Sequence, residues 1–185
     1  DSLCLAVLEK KIPVRVVSMP RTPSVPYLQR MAKYFEEESW RQPLEQGNLG
    51  AFMENLLMSD DGPGRIAVID MPDMFREYGY LEPDGFLYRM KTEPGQIDLP
   101  LLARSQKPFW TWMEQMALHP VPEKNILRSY QDLLRLMSSK VADNLAVLQI
   151  ERDARREALE TLRSARRIWP NNLSVLMNLI ELGRA

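Results

Sequence analysis

Apolar residues in the first half of the chain fall into short runs of mixed period. Leu3, Leu5, Ala6, Val7 and Leu8 follow a capping Asp1 or Ser2 and end at Lys10 and Lys11, a helix with cations at its C-terminal end. Pro13 then opens VRVVSM, a β-branched run of strand length stopped by Pro20. From Tyr27 to about Ser39, Leu28, Met31, Ala32 and Phe35 recur at three- and four-residue spacing, which predicts an amphipathic helix. A short helix, NLGAFMENLLMS, follows the break at Gly47. DDGPG (60–64) reads as a turn, RIAVID (65–70) as a strand, MPDMFREYG as a short helix, LEPDG as a turn and FLYRM (86–90) as a third strand.

The second half is helical throughout. One helix is predicted from Lys107 or Pro108, with Phe109, Trp112, Met113 and Met116 on one face. HPVPEK breaks it, and Glu123 to Lys140 forms the next, with Ile126, Tyr130, Leu133, Leu134 and Met137 in phase. Helices near 140–150, 154–168 and 172–183 complete the chain. The expected architecture is therefore an α/β part at 1–98, a small parallel or mixed sheet with helices, followed by a helical region at 99–185. Segments 14–18 and 65–70 are apolar on both faces and are expected as buried parallel neighbours. A helix cap at Asp1 stands where an α/β unit would carry a preceding strand, so the chain reads as cut just after that strand.

Composition narrows the classes. The chain has 185 residues, 45% hydrophobic and 26% charged, with a net charge of −1. That is globular, and it supplies no basic field for nucleic acid or an anionic membrane surface. No apolar run approaches the roughly 20 residues of a membrane span, and no signal-peptide pattern is visible, so any membrane link would run through segments upstream of Asp1. Cys4 is the single cysteine and can form no intramolecular disulfide. The prolines cluster before residue 123, which again divides the chain in two.

Candidate chemistry is sparse, and no catalytic, cofactor-binding or metal-ligating residue is predicted. His119, the only histidine, stands at a helix exit with neither a second histidine nor a G-x-S-x-G elbow to serve. Asp60 and Asp61 supply too few oxygens for a cation, and Gly62 and Gly64 precede a strand instead of opening a helix. Asp70 lies at a strand end, where α/β sheets bind ligands, or caps the following helix. Core packing accounts for Phe109 and Trp112, which leaves Trp110 facing elsewhere as an interface residue. Arginines 152, 155, 156, 163, 166 and 167 are balanced by Glu151, Asp153, Glu157 and Glu160 and read as a solvated helix face.

Two resemblances add to this reading. In REALETLRSARRIWPNN, Ala158, Leu162, Ala165 and Pro170 combine small residues on one face, a bulky one between them and a helix-ending proline. That pattern resembles a tetratricopeptide repeat, best matched over 140–182. Leu145 and Ala146 supply the large-then-small pair of the preceding helix, and Leu176 and Leu179 restart it. Gln149 stands where an aromatic is usual and Ile180 where a small residue is usual. The resemblance implies that the helix before the motif lines a concave face, with Asp143, Val147 and Ile150 as its interaction surface.

DSLCLAVLEKKIPVRVVSM, the helix with Tyr34, IAVID and YLEPDGFLYRM are together similar to a membrane-protein domain. They resemble the soluble C-terminal part of bacterial protein O-mannosyltransferase-like (GT-C class) polytopic membrane proteins. Pro83, Gly85, Tyr88 and Arg89 match that family's P-x-G-x-x-Y-R segment. The resemblance implies a non-catalytic extracytoplasmic (periplasmic) domain that engages a protein or glycan acceptor, the catalytic carboxylate lying in the absent membrane part. Two other readings stay open: a free-standing cytoplasmic interaction module, and an enzyme using Asp70 with Asp73 or Asp84.

Overall fold

The computed structural model describes residues 24–59, 67–69, 79–91, 93 and 97–184. They belong to two compact units, Asp1–Gly62 and Pro63–Ala185. The described part is mostly helical, with one small antiparallel sheet.

The first unit contributes α1 (Val25–Ala32), α2 (Glu38–Glu45) and α3 (Leu49–Met58). Leu28, Met31, Ala32, Trp40, Leu44, Phe52 and Met53 are buried among them. Phe35, just past α1, sets its ring 6.0 Å from Trp40 and 5.3 Å from Phe52. Gly47 turns the chain at φ 73°, and a Cβ there would stand 2.9 Å from Val25 Cγ2, so both conformation and space require glycine. Asn48 then caps α3, its Oδ1 accepting from Ala51 N–H at 3.0 Å. The helix expected from Tyr27 to about Ser39 ends earlier, at Ala32, and α2, with Pro43 inside it, was not foreseen.

The second unit holds β1 (Ala67–Val68), β2 (Tyr80–Asp84), β3 (Leu87–Lys91), α4 (Leu99–Leu118), α5 (Leu127–Glu151), α6 (Arg155–Ile168) and α7 (Leu173–Arg184). Strand order is β1-β3-β2, both pairs antiparallel, with Ala67 opposite Arg89 and Asp84 opposite Leu87. The expectation of a parallel or mixed sheet is thus overturned. Only Gly85 and Phe86 link β2 to β3, and a two-residue link can close only an antiparallel pair. Gly85 takes φ 68°, the pattern of a type II′ turn, so LEPDG is mostly strand and the reversal sits one step later. Pro83, without an N–H, is tolerated because β2 is an edge strand. In β1, Ala67 is exposed and Val68 buried, so this described segment is not buried on both faces. Segment 14–18 lies outside the described residues.

The core of this unit joins Leu99, Leu102, Trp110 and Met113 of α4 to Ala142, Leu145 and Ala146 of α5, Ala158, Leu162, Ala165 and Ile168 of α6, and Val175 of α7. Ala146, Ala158, Leu162 and Ala165 have no exposed surface, as their small–large–small spacing predicts. Where two helices were expected around residue 140, α5 is a single helix of 25 residues. It ends when Asp153 adopts φ 60°, with Ala154 N–H donating to Gln149 O (2.8 Å) and Asp153 N–H to Ile150 O (3.0 Å). That is the bonding of a Schellman cap, closed by an aspartate where glycine is usual.

α5 also carries a buried polar stripe. Gln131 takes up Val121 N–H (2.8 Å) and donates to Met116 O (3.2 Å), fixing the α4–α5 connection. Arg135 donates to Ile168 O at 3.0 Å and lies over the Trp169 ring, while Ser139 donates to Ala165 O at 3.0 Å. Arg135 thus takes a carbonyl of the last turn of α6, which stops before Pro170, and Ser139 adds a second bond to Ala165 O, which already accepts from Trp169 N–H. Among the described residues no helix is long and apolar enough to cross a membrane.

Candidate functional site

α4 begins two turns earlier than its aromatic cluster suggests. Asp98 caps it, accepting from Leu101 N–H at 3.0 Å, and Pro100 occupies the first turn. Pro108, read from sequence as near the start, lies inside the helix. This earlier start sets the buried stripe to Leu99, Leu102, Gln106, Trp110 and Met113. Trp110 is therefore a core residue, 5% exposed, and Trp112, expected inside, is 54% exposed.

Trp112 stands next to Phe109 (5.9 Å between rings), which in turn reaches Phe86 of the β-turn at 6.3 Å. Gln106 secures that turn by accepting from Gly85 N–H and donating to Asp84 Oδ1 (3.2 Å). Asp84 also accepts from Arg89, and Tyr88 is joined to Asn144 of α5. Pro83, Gly85, Tyr88 and Arg89 thus all stand on one hairpin, where Asp84 and Tyr88 make structural contacts.

The other expected surface residues separate. Asp143 is 4% exposed and accepts from Asn178 Nδ2 of α7 at 2.9 Å, so it joins two helices and faces no open concave surface. Ile150 packs against the core and Val147 is half-buried on α5. Asp70 and Asp73 lie outside the described residues, as do Asp60 and Asp61. His119 is the exposed C-cap of α4. Among the described residues no group of three or more His, Cys, Asp or Glu side chains could hold a metal ion.

What the structure does bring together is a cleft of about 730 Å³ between α4 and α6, with the end of α5 beneath it. Arg152 donates to Ile97 O at 2.9 Å and ties the α5–α6 turn to the start of α4. Arg167 and Ser164 both bind Glu114 near the far ends of α6 and α4. The two walls therefore run parallel, pinned together at the Glu114 end.

Toward the start of the helices the lining is apolar, with Leu99 beside the small Ala103 and Ala154. Arg104 and Lys107 stand on the α4 wall, Glu157 and Glu160 on the α6 wall, with Arg163 one turn nearer the pinned end. No ion pair joins Arg104 or Lys107 to Glu157 or Glu160 among the described residues. Glu160 pairs with Arg156 of its own helix at 3.8 Å, an exposed contact, and opposite charges stand unjoined across the opening.

Trp110 and Gln149 also line the cleft, and both are more than nine-tenths buried. Trp110 Nε1, a donor, and Gln149 Oε1, an acceptor, have no hydrogen-bond partner. A buried polar atom left unmatched costs roughly 1–3 kcal/mol, and two at one place mark a polar point under an otherwise apolar floor.

At the pinned end, burial alone would raise the Glu114 pKa. The hydrogen bonds from Arg167 and Ser164 and the charge of Arg167 outweigh it, so the carboxyl titrates below its usual range. Arg167 is raised in turn, chiefly by its hydrogen bond to Glu114.

The cleft was missed in the sequence because Glu157, Glu160, Arg163 and Arg167 read as a solvated face. The available signal was a matching stripe on α4, where Ala103, Lys107, Thr111 and Glu114 recur at helical spacing. No family model, curated protein or solved structure matches this chain.

Proposed function

We propose that this chain is a non-catalytic recognition domain that holds a protein partner in the α4–α6 cleft. The observation that carries the reading is the cleft itself: an apolar floor with two unmatched polar atoms beneath it and charges of both signs on its rims that do not pair across the opening. Such a surface offers shape, apolar area and orientation-setting charge, the elements of a binding site.

The helical tail supports a scaffold role. We read the close approach of α5 and α6 through Ala146, Ala158 and Ala165, with α7 following Pro170, as a tetratricopeptide-like hairpin. The hairpin carrying Pro83, Gly85, Tyr88 and Arg89 rests against α5, so the P-x-G-x-x-Y-R match and the helical tail belong to one compact unit. On that resemblance the domain is extracytoplasmic and accessory to a membrane glycosyltransferase-like protein. Repeated apolar spans of about 20 residues, if encoded upstream of Asp1, would support that placement, and their absence would leave a free-standing module.

Site-specific photo-cross-linking in cells tests the binding reading. A benzophenone side chain at Thr111, exposed on the cleft wall, is expected to give one defined adduct that Ala103→Trp suppresses. The same probe at Arg156, whose side chain is 89% exposed and absent from the cleft lining, gives none. Equal labelling at both positions, or no adduct at Thr111, overturns the assignment.

A further inference from the structure

We infer that the occupant of the α4–α6 cleft is an amphipathic helix of the partner, acidic along one flank and basic along the other. This rests on the recognition reading above and adds the chemistry of what is recognised.

The walls dictate a rod. From Leu99 to Glu114 the cleft follows α4 for about 22 Å at 1.5 Å per residue. An occupant lying along it meets Leu99, Ala103 and Ala154 below it. Trp110 Nε1 and Gln149 Oε1 could match at most two backbone groups of an extended segment, whose remaining floor-facing amides would lie unmatched on apolar surface, whereas a helix keeps its backbone bonds internal. Small residues at Ala103 and Ala154 leave depth for the occupant's own apolar stripe, in the manner of helix-in-groove recognition. A cavity of about 730 Å³ is ample for the few side chains that such a stripe presents.

Charge then selects the flanks. Arg104 and Lys107 line the α4 rim, so the flank lying over it is acidic. Glu157 and Glu160 line the α6 rim, so the flank lying over that side is basic. Arg163, nearer the pinned end, favours an acidic group only at that end of the occupant. A uniformly acidic or basic helix meets one attractive rim and one repulsive rim. Reversing the direction of a mixed-flank helix exchanges its two sides, so sign mixture is what the cleft reads, and direction follows from it.

Three synthetic helical peptides of equal length and identical leucine stripe provide the test: one with glutamate on one flank and lysine on the other, one with glutamate on both and one with lysine on both. Binding to the full chain is followed by fluorescence anisotropy at low salt. The mixed peptide is expected to bind at least tenfold more tightly than either uniform one, and Ala103→Trp to abolish its binding. Glu157→Lys with Glu160→Lys, both at exposed positions, makes both rims basic. In that variant the preference should move to the all-glutamate peptide, a gain that unfolding cannot mimic.

A uniform peptide binding the unaltered chain as tightly as the mixed one overturns the inference, as does an unchanged preference in the double variant. Failure of all three peptides, with the Thr111 cross-link still suppressed by Ala103→Trp, overturns the helical occupant and leaves the recognition reading standing. Loss of that cross-link's dependence on Ala103 removes the recognition reading itself.

Discussion

Arg167 binds Glu114 through two parallel hydrogen bonds, Nε to Oε2 at 2.8 Å and Nη2 to Oε1 at 3.0 Å. Ser164 donates to the same carboxylate. One residue of α4 is thereby fixed to two residues one turn apart on α6, and that fork closes one end of the cleft. Its geometry is bidentate, so lysine at 167 would not reproduce it.

The fork makes acid stability a readout of the cleft. The folded-state pKa of Glu114 lies below its ordinary value of 4.5, so the unfolded chain takes up the proton first as pH falls. The stabilisation is fully present above pH 4.5 and is lost as pH drops through the lowered folded value. Glu114→Gln should flatten the slope of unfolding free energy against pH in that window and leave the slope above pH 6 unchanged. Urea titrations at closely spaced pH values check this; an unaltered acid slope would mean the pair contributes nothing in solution.

Ala158 is fully buried where α6 meets the core helices. Ala158→Leu should force these helices apart and cost roughly 1–3 kcal/mol. Removing the neighbouring bulk instead, by Leu162→Ala, should cost roughly 2–5 kcal/mol through the cavity it leaves. Denaturant midpoints for the two variants measure both. Losses at both positions would show that the small–large–small order itself matters, beyond apolar character at each site.

That order was readable because it depends on volume alone. The helix NLGAFMENLLMS was also readable from the break at Gly47, and the structure adds Asn48 as its cap. The phase of α4 was not, because Pro108 reads as a helix start and the true first turn depends on Asp98 and Pro100. α2 was hidden by Pro43 and by having only Trp40 and Leu44 to anchor it as large apolar residues. α5 buries Gln131, Arg135, Ser139 and Asp143, each matched by a group distant in sequence, so its polar stripe resembled a solvated face. The cleft was hidden for the same reason. Its charges become a site only when α4 is laid beside α6, a pairing that no local spacing encodes.

Burial of Asp143 changes what a charge reversal there means. Asp143→Arg places a cation at a position 4% exposed and removes the acceptor of Asn178 Nδ2. The expected result is a loss on the order of 3–5 kcal/mol, the range for stranding a buried charge. Asp143→Asn keeps the shape and an acceptor oxygen and should cost much less. Thermal unfolding of both variants checks the difference. Equal behaviour would place Asp143 on an open surface after all.

Asp153 offers the opposite sign. Its φ of 60° lies in the left-handed region, which costs a side-chain-bearing residue about 1–2 kcal/mol, less for aspartate. No side-chain hydrogen bond or ion pair is formed by its exposed carboxylate among the described residues. Glycine at this position would keep the Schellman bonds from Ala154 to Gln149 and from Asp153 to Ile150, which are made by backbone alone. It would also leave the unfolded chain freer, which offsets part of the gain. Asp153→Gly should therefore stabilise the domain by up to about 1 kcal/mol, whereas Asp153→Val, with a β-branched side chain in the same conformation, should destabilise it. Because the turn fixes how α6 leaves α5, the valine variant should also loosen the Arg152–Ile97 tie at the open end of the cleft. Hydrogen exchange at Ala158, whose N–H bonds Ala154 O, and at residues 159–161, the next amides of α6, should then rise in Asp153→Val and fall in Asp153→Gly; the same exchange rates in both variants would show that the cap does not control this end of the cleft.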